Sequence, residues 1–173
     1  AAIQEAINNL DASGGGDGPE AYTRAFYESY AELIGETNPT YGSIGARPGA
    51  KRIVIDFGDS IPHDNNLNEG VPGKTGTRDT GVDLGRDEIA GTSDDLDLQT
   101  VLSTMGSLGV ALLEVHSSVS DVEYWQYWTG LTGGGFAAVS SPSDIHDAIM
   151  TLLQTQMIGK IRPMVSTIGY GTW

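Results

Sequence analysis

The sequence predicts an α/β domain built on a mostly parallel sheet, and three observations lead there. With 173 residues, 39% of them apolar, the chain can bury a sizeable core as one domain. Two runs, Ile53 to Ile55 and Val110 to Val115, are continuously apolar apart from Glu114, as suits strands covered on both faces. Segments of helical spacing separate the candidate strands, and such alternation favours parallel pairing through right-handed crossovers.

Taken in order, residues 1–10 place Ile3, Ala6, Ile7 and Leu10 on one helical face before the glycines of Ser13 to Gly18 end the pattern. A second helix is expected from Pro19, with Glu20 in its first turn and Tyr22, Ala25, Phe26, Tyr30 and Leu33 near one face. Lys51 to Phe57 reads as a strand ending at Gly58 and Asp59.

Residues 58–95 then run through Asp, Gly, Asn, Thr and Pro without a sustained apolar period, far beyond an ordinary loop of about 4 to 6 residues. Something other than a core is expected to order them. Leu98, Val101, Leu102, Met105 and Leu108 mark a helix, and Val110 to Val115 a strand. The Tyr and Trp residues of 123–131 fit a packed helix, Phe136 to Val139 a short strand, and Ser143 the cap of a last helix through Ile145, Ala148, Ile149, Leu152 and Leu153. Residues 159–173 are β-prone but broken by Gly and Pro, and suit a terminal strand, a linker or an assembly arm.

Charge narrows the function. Nine Lys and Arg against 23 Asp and Glu give a net charge of -14, which repels nucleic acid and anionic headgroups and raises the prospect of bound cations. No cysteine is present, so disulfides and thiolate metal sites are excluded. No apolar run reaches the roughly 20 residues that span a bilayer, so no membrane insertion is expected. The opening at Ala1, without a signal peptide, suggests a processed or excised chain.

Three constellations could carry chemistry. In Ser13 to Ala21 (SGGGDGPEA), a pliable backbone brings Asp17 and Glu20 to a helix start, where carboxylates either cap the helix or bind Mg²⁺ or Ca²⁺. Asp59 follows the carboxyl end of a candidate strand, the place where open α/β sheets bind ligands, although such an Asp often serves only a turn.

The third constellation lies within residues 56–97, which hold 11 acids and 3 bases. Asp83, Asp87 and Asp94 occupy positions 1, 5 and 12 of an EF-hand-like loop, with the Ile89 carbonyl at position 7 and Asp95 able to replace Asp94; Asp97 adds to the acidic run. The match is imperfect, with Gly85 at position 3 and Glu88 where the loop turns sharply on a glycine. Calcium is expected there, against the plainer reading of a solvated Asp/Gly/Thr loop.

SGGGDGPEA, its helix and KRIVIDFGDSIPHD together resemble the von Willebrand factor A family, especially its integrin β-like and bacterial branches, over roughly residues 1–157. The resemblance implies a doubly wound, Rossmann-like sheet with a metal-ion-dependent adhesion site at its carboxyl edge, where Mg²⁺ or Ca²⁺ accepts an acidic group from a protein partner. Glu20 and Asp59 match positions of that site, and Asp17 matches a residue of a neighbouring calcium site. The family's Asp-x-Ser-x-Ser motif on its first strand is absent; Asp59 is followed by Ser60 but lies on the wrong strand. Residues 1–158 are therefore expected to be the C-terminal part of such a domain, with the acidic insertion at 58–97, its N-terminal strands lying upstream or supplied by a second chain.

Other motifs fail on context. Asp79-Thr80-Gly81 resembles a subtilisin-like catalytic segment but follows no apolar strand, and Gly73-Lys74-Thr75 lacks the first glycine of a phosphate loop, the position being Asn68. His63 beside Asp64 fits a transition-metal pair or, as is commoner for a lone loop histidine, a solvated residue, and Trp125 and Trp128 fit a binding surface and a packed helix equally well. No base or nucleophile is nominated, so no enzyme is expected. The functional expectation is a secreted or cell-surface, metal-dependent adhesion module for a protein partner. The alternative is a calcium-stabilised structural subunit of a surface layer, filament or stalk, packed on neighbouring subunits.

Overall fold

A computed structural model describes residues 5, 9, 16–40, 42, 43, 45 and 47–158. The helix expected over residues 1–10 and the segment 159–173 lie largely or wholly outside these residues. The architecture is α/β, with a three-stranded, all-parallel open sheet of β1 (Arg52–Gly58), β2 (Val110–His116) and β3 (Gly135–Ala138) in that order. The helices are α1 (Tyr22–Glu28), α2 (Leu98–Ser107), α3 (Val122–Leu131) and α4 (Ile145–Ile158), with 3₁₀ turns at Ala31–Ile34 and Pro142–Asp144.

β2 is buried throughout because it is central and both faces are covered. One face carries Val54, Leu112 and Phe136 against α1, α2 and α3, around Phe26, Leu102, Met105, Trp125 and Trp128. The other carries Ile53, Leu113, Val115 and Ala137 against Ala148, Ile149, Leu152 and Leu153 of α4. The turn from α3 into β3 depends on Gly134, since a Cβ there would lie 1.8 Å from the Leu112 carbonyl oxygen.

Three expectations are corrected. The helix from Pro19 is shorter than its apolar spacing suggests, because Glu20 pairs through its backbone with the segment after β1 instead of entering the first turn. The last helix is introduced by Ser141, whose side chain accepts from the Ser143 N–H, rather than by Ser143 itself.

The long loop also contributes to the core: Leu67 and Val71 are 1% and 4% exposed and join the α2/α3 cluster. Its remaining order comes from polar side chains that substitute for a backbone ladder. Buried Asp64 accepts from the Asn66 and Leu98 N–H groups at 2.7 and 2.8 Å, and Asn66 Oδ1 accepts from the Arg78 N–H.

At the loop's end Asp97 caps α2, accepting from the Thr100 N–H at 2.7 Å. Asp97→Ala is expected to cost about 1 kcal/mol in urea denaturation; an unchanged midpoint would show that the cap adds nothing.

Candidate functional site at the carboxyl edge of the sheet

β1 ends at Gly58, and the chain continues through Asp59 and Ser60 across the carboxyl edge. Residues 17–22 lie beside this exit. The Glu20 N–H donates to the Ile61 carbonyl at 2.8 Å, and the His63 N–H donates to the Glu20 carbonyl at 2.9 Å. The Ser60 hydroxyl donates to the Gly18 carbonyl, and the Tyr22 hydroxyl accepts weakly from the Asp59 N–H at 3.4 Å. These bonds join two segments some forty residues apart in sequence, so Asp17, Glu20 and Asp59 share one edge.

Asp17 Oδ1 stands 3.5 Å from His63 Nε2, while His63 Nδ1 meets the Thr80 carbonyl at 2.7 Å. His63 is thus half-buried between two partners, unlike the solvated loop histidine expected from sequence. Asp17, His63, Arg24, Glu28, Asp83 and Arg86 line a cleft of about 1050 Å³ between α1, residues 38–40, 42 and 43, and the loop at 80–88. Arg24 and Arg86 both pair with Glu28, clamping that loop to α1.

Beneath the edge lies a polar cluster that sequence reading passed over. Asp56 and Glu114 are register partners on β1 and β2, directed to the α1/α2/α3 face. Glu114 is fully buried, its carboxyl set against that of Asp56 and the Gly58 N–H, so that a proton held on Glu114 can be shared with Asp56. Burial first, and then the neighbouring Asp56, push the Glu114 carboxyl up to about 9, and burial also raises Asp56.

A Cβ at Gly58 would come within 2.8 Å of Glu114 Oε1 and 3.0 Å of the Tyr22 hydroxyl, so a larger residue there would displace one of these side-chain ends. His116 Nε2 reaches the Ser60 carbonyl at 2.9 Å, and its ring leans on Trp125 and Phe136. The available signal was an acid inside each apolar strand; that the two acids are neighbours depends on register.

In the acidic loop, Asp83, Asp87, Asp94 and Asp95 are engaged by backbone N–H groups. Asp83 accepts from the Arg24 N–H at 2.8 Å, Asp87 from the Ile89 N–H at 2.9 Å, and Asp94 from the Arg86 and Asp87 N–H groups at 2.6 and 3.1 Å. Asp95 Oδ2 accepts from the Gly91 N–H, while its Oδ1 is buried without a partner among the described residues. The Ile89 carbonyl accepts from the Thr92 hydroxyl. Glu88 adopts φ 59°, so this position does take the left-handed turn for which an EF-hand uses glycine.

Among the described residues, no three His, Asp or Glu gather into a group able to hold a metal ion, and no helix is long and apolar enough to cross a membrane. Trp125 and Trp128 are core residues in edge-to-face contact, and Lys74 pairs with Glu123. No protein-family model matches the chain, and no curated protein matches it in sequence.

Proposed function

We propose that the chain is a von Willebrand factor A-type binding module of a secreted or cell-surface protein, which engages a protein partner through a divalent cation at the carboxyl edge. The observation that carries this reading is the backbone pairing of Glu20 with residues 61–63, which puts Glu20 and Asp59 on the edge where open α/β sheets bind ligands. Carboxylates on a Gly-rich segment suit Mg²⁺ or Ca²⁺, and Asp17, Glu20 and Asp59, which do not gather into a metal-holding group by themselves, would each supply part of an incomplete shell. Remaining ligands would come from the partner or from a further segment of the domain.

A second reading, a calcium-stabilised structural subunit, is favoured by one feature. Asp95 Oδ1 lacks a partner within an Asp-rich loop, and a cation there would satisfy it.

Thermal melting in EDTA and then in saturating Mg²⁺ or Ca²⁺ tests both readings. An ion at 100 times its Kd stabilises by about 2.7 kcal/mol, or roughly 5–10 °C in a chain of this size. The rise is expected to vanish in the Glu20→Ala, Asp59→Ala double variant and to persist in Asp83→Asn, Asp87→Asn; the reverse pattern selects the structural subunit. No rise with either ion in the parent protein would remove the metal from both.

A further inference from the structure

Almost every base among the described residues is committed. Arg24 and Arg86 hold Glu28, Arg52 holds Glu32, Lys74 holds Glu123 and Arg78 holds Asp121, while Lys51 donates to Gln156 Oε1. The exception among these residues is Arg47, whose side chain has no partner in a chain that carries 23 acids.

Its position gives that freedom a meaning. Arg47 stands at a recess of about 200 Å³ formed with Leu33, Pro48, Ala50 and Leu108, at the amino ends of β1 and β2 and so at the opposite end of the sheet from Asp59. Leu33 and Leu108 are 44% and 37% exposed, and Ile34, next in sequence, is 44% exposed. The recess falls below the roughly 300 Å³ at which small-molecule sites begin, and suits one or two inserted side chains. Scattered apolar residues on a surface need no explanation, but an apolar floor beside an uncommitted guanidinium has the make-up of a protein contact for an acidic, apolar segment.

The chain itself carries the complement. Residues 37–55 hold three bases and no acid, whereas residues 56–97 hold 11 acids and 3 bases. Within the acidic stretch, Asp87-Glu88-Ile89 sets an apolar side chain, 59% exposed, directly after two acids. This turn is already formed: Glu88 is held at φ 59°, Asp87 accepts from the Ile89 N–H, and Asp94 accepts from the Arg86 and Asp87 N–H groups. The Glu88 carboxylate has no partner among the described residues. A preset turn docks without the entropy cost of ordering a loop.

We propose that the recess at Arg47 receives the Asp87–Ile89 turn of a second copy of this chain, with Ile89 on Leu33 and Leu108 and the Glu88 carboxylate on the Arg47 guanidinium. Each copy carries one recess and one turn on different segments, so successive copies add end to end or two copies close reciprocally, and both arrangements need both halves. The net charge of -14 opposes association at long range. Screening over about 8 Å at physiological salt leaves the touching patches to decide, and the contact is weak. It requires no cation, so it fails or succeeds independently of the two readings above.

The test is sedimentation velocity of the full chain in EDTA and physiological salt, from about 10 μM to about 1 mM, the span in which a weak contact forms. The sedimentation coefficient is expected to rise with concentration in the parent protein and to stay at the monomer value in Arg47→Glu and in Ile89→Asp, both at exposed positions that leave the core alone. Mixing these two variants is expected to restore association as a 1:1 pair, because one keeps its turn and the other its recess. The charge-reversed double variant Arg47→Glu, Glu88→Arg is expected to associate at least 10-fold more tightly than Arg47→Glu alone. Association unchanged in the single variants, or a mixture that stays monomeric, would overturn the proposal. So would a parent protein that is monomeric throughout, even if an Asp-Glu-Ile peptide bound at Arg47, since the occupant would then be another protein.

Discussion

Glu114→Gln is expected to stabilise the protein at neutral pH by on the order of 2 kcal/mol and to flatten its pH dependence. The folded carboxyl keeps its proton to about 9, whereas an unfolded one releases it near 4.5. Between these values the folded state binds more protons than the unfolded, so stability is greatest on the acid side and falls as pH rises, by at most about 1.4 kcal/mol per unit. The groups facing Glu114 shape this slope. Asp56 shares the titration, and Tyr22, itself raised by burial, closes the pocket from α1. His116 lies next along β2. Glutamine keeps the shape and removes the ionisation. Urea midpoints of both proteins at pH 5, 7 and 8.5 decide the matter, and parallel declines would show that Glu114 is not the group responsible.

Trp125→Ala is expected to cost roughly 3–5 kcal/mol, a large share of the 5–15 kcal/mol that holds an ordinary domain together. The indole is fully buried and packs edge-on against both Trp128 and Tyr22, with His116 5.6 Å away between ring centres. Its loss leaves a cavity at the junction of α1, α3 and the carboxyl edge, and frees Tyr22 and His116, which contact Asp59 and Ser60. Amide exchange is therefore expected to accelerate at Glu20 and His63 more than at Leu112 and Leu113. A denaturation midpoint close to the parent's would show that the neighbouring rings collapse into the space.

Residues whose environment is set by near neighbours were legible in the sequence. The apolar runs at Ile53 to Ile55 and Val110 to Val115 are strands, and the spacing of Leu98, Val101, Leu102 and Met105 is a buried helical face. What stayed hidden depends on distant pairing. Glu20 looks like a first-turn acid until residues 61–63 are seen to take its backbone, and Asp56 and Glu114 are neighbours only through the β1–β2 register. The acidic loop was legible as a pattern but not as a geometry. Spacing places Asp83, Asp87 and Asp94 on a calcium template, while Asp83 turns to the distant Arg24 amide on α1 and Asp87 and Asp94 to amides of the loop itself, which compete for the same oxygens. Leu67 and Val71 were missed because isolated apolar residues in a polar stretch carry no period.

The loop between β1 and α2 bears on how the chain folds. Because it separates Gly58 from Val110, β1 and β2 are joined across far more chain than the dozen or so residues a parallel crossover needs. Closure entropy grows only logarithmically, about 0.6 kcal/mol per doubling, so the loop costs little at equilibrium. Its effect falls on the order of events: β2, α3 and β3 are close in sequence and suited to form first, while β1 must search across the loop before its pairing rewards it. Until then Glu114 faces water, so the late arrival of β1 is also the step at which its carboxyl is shut away from solvent.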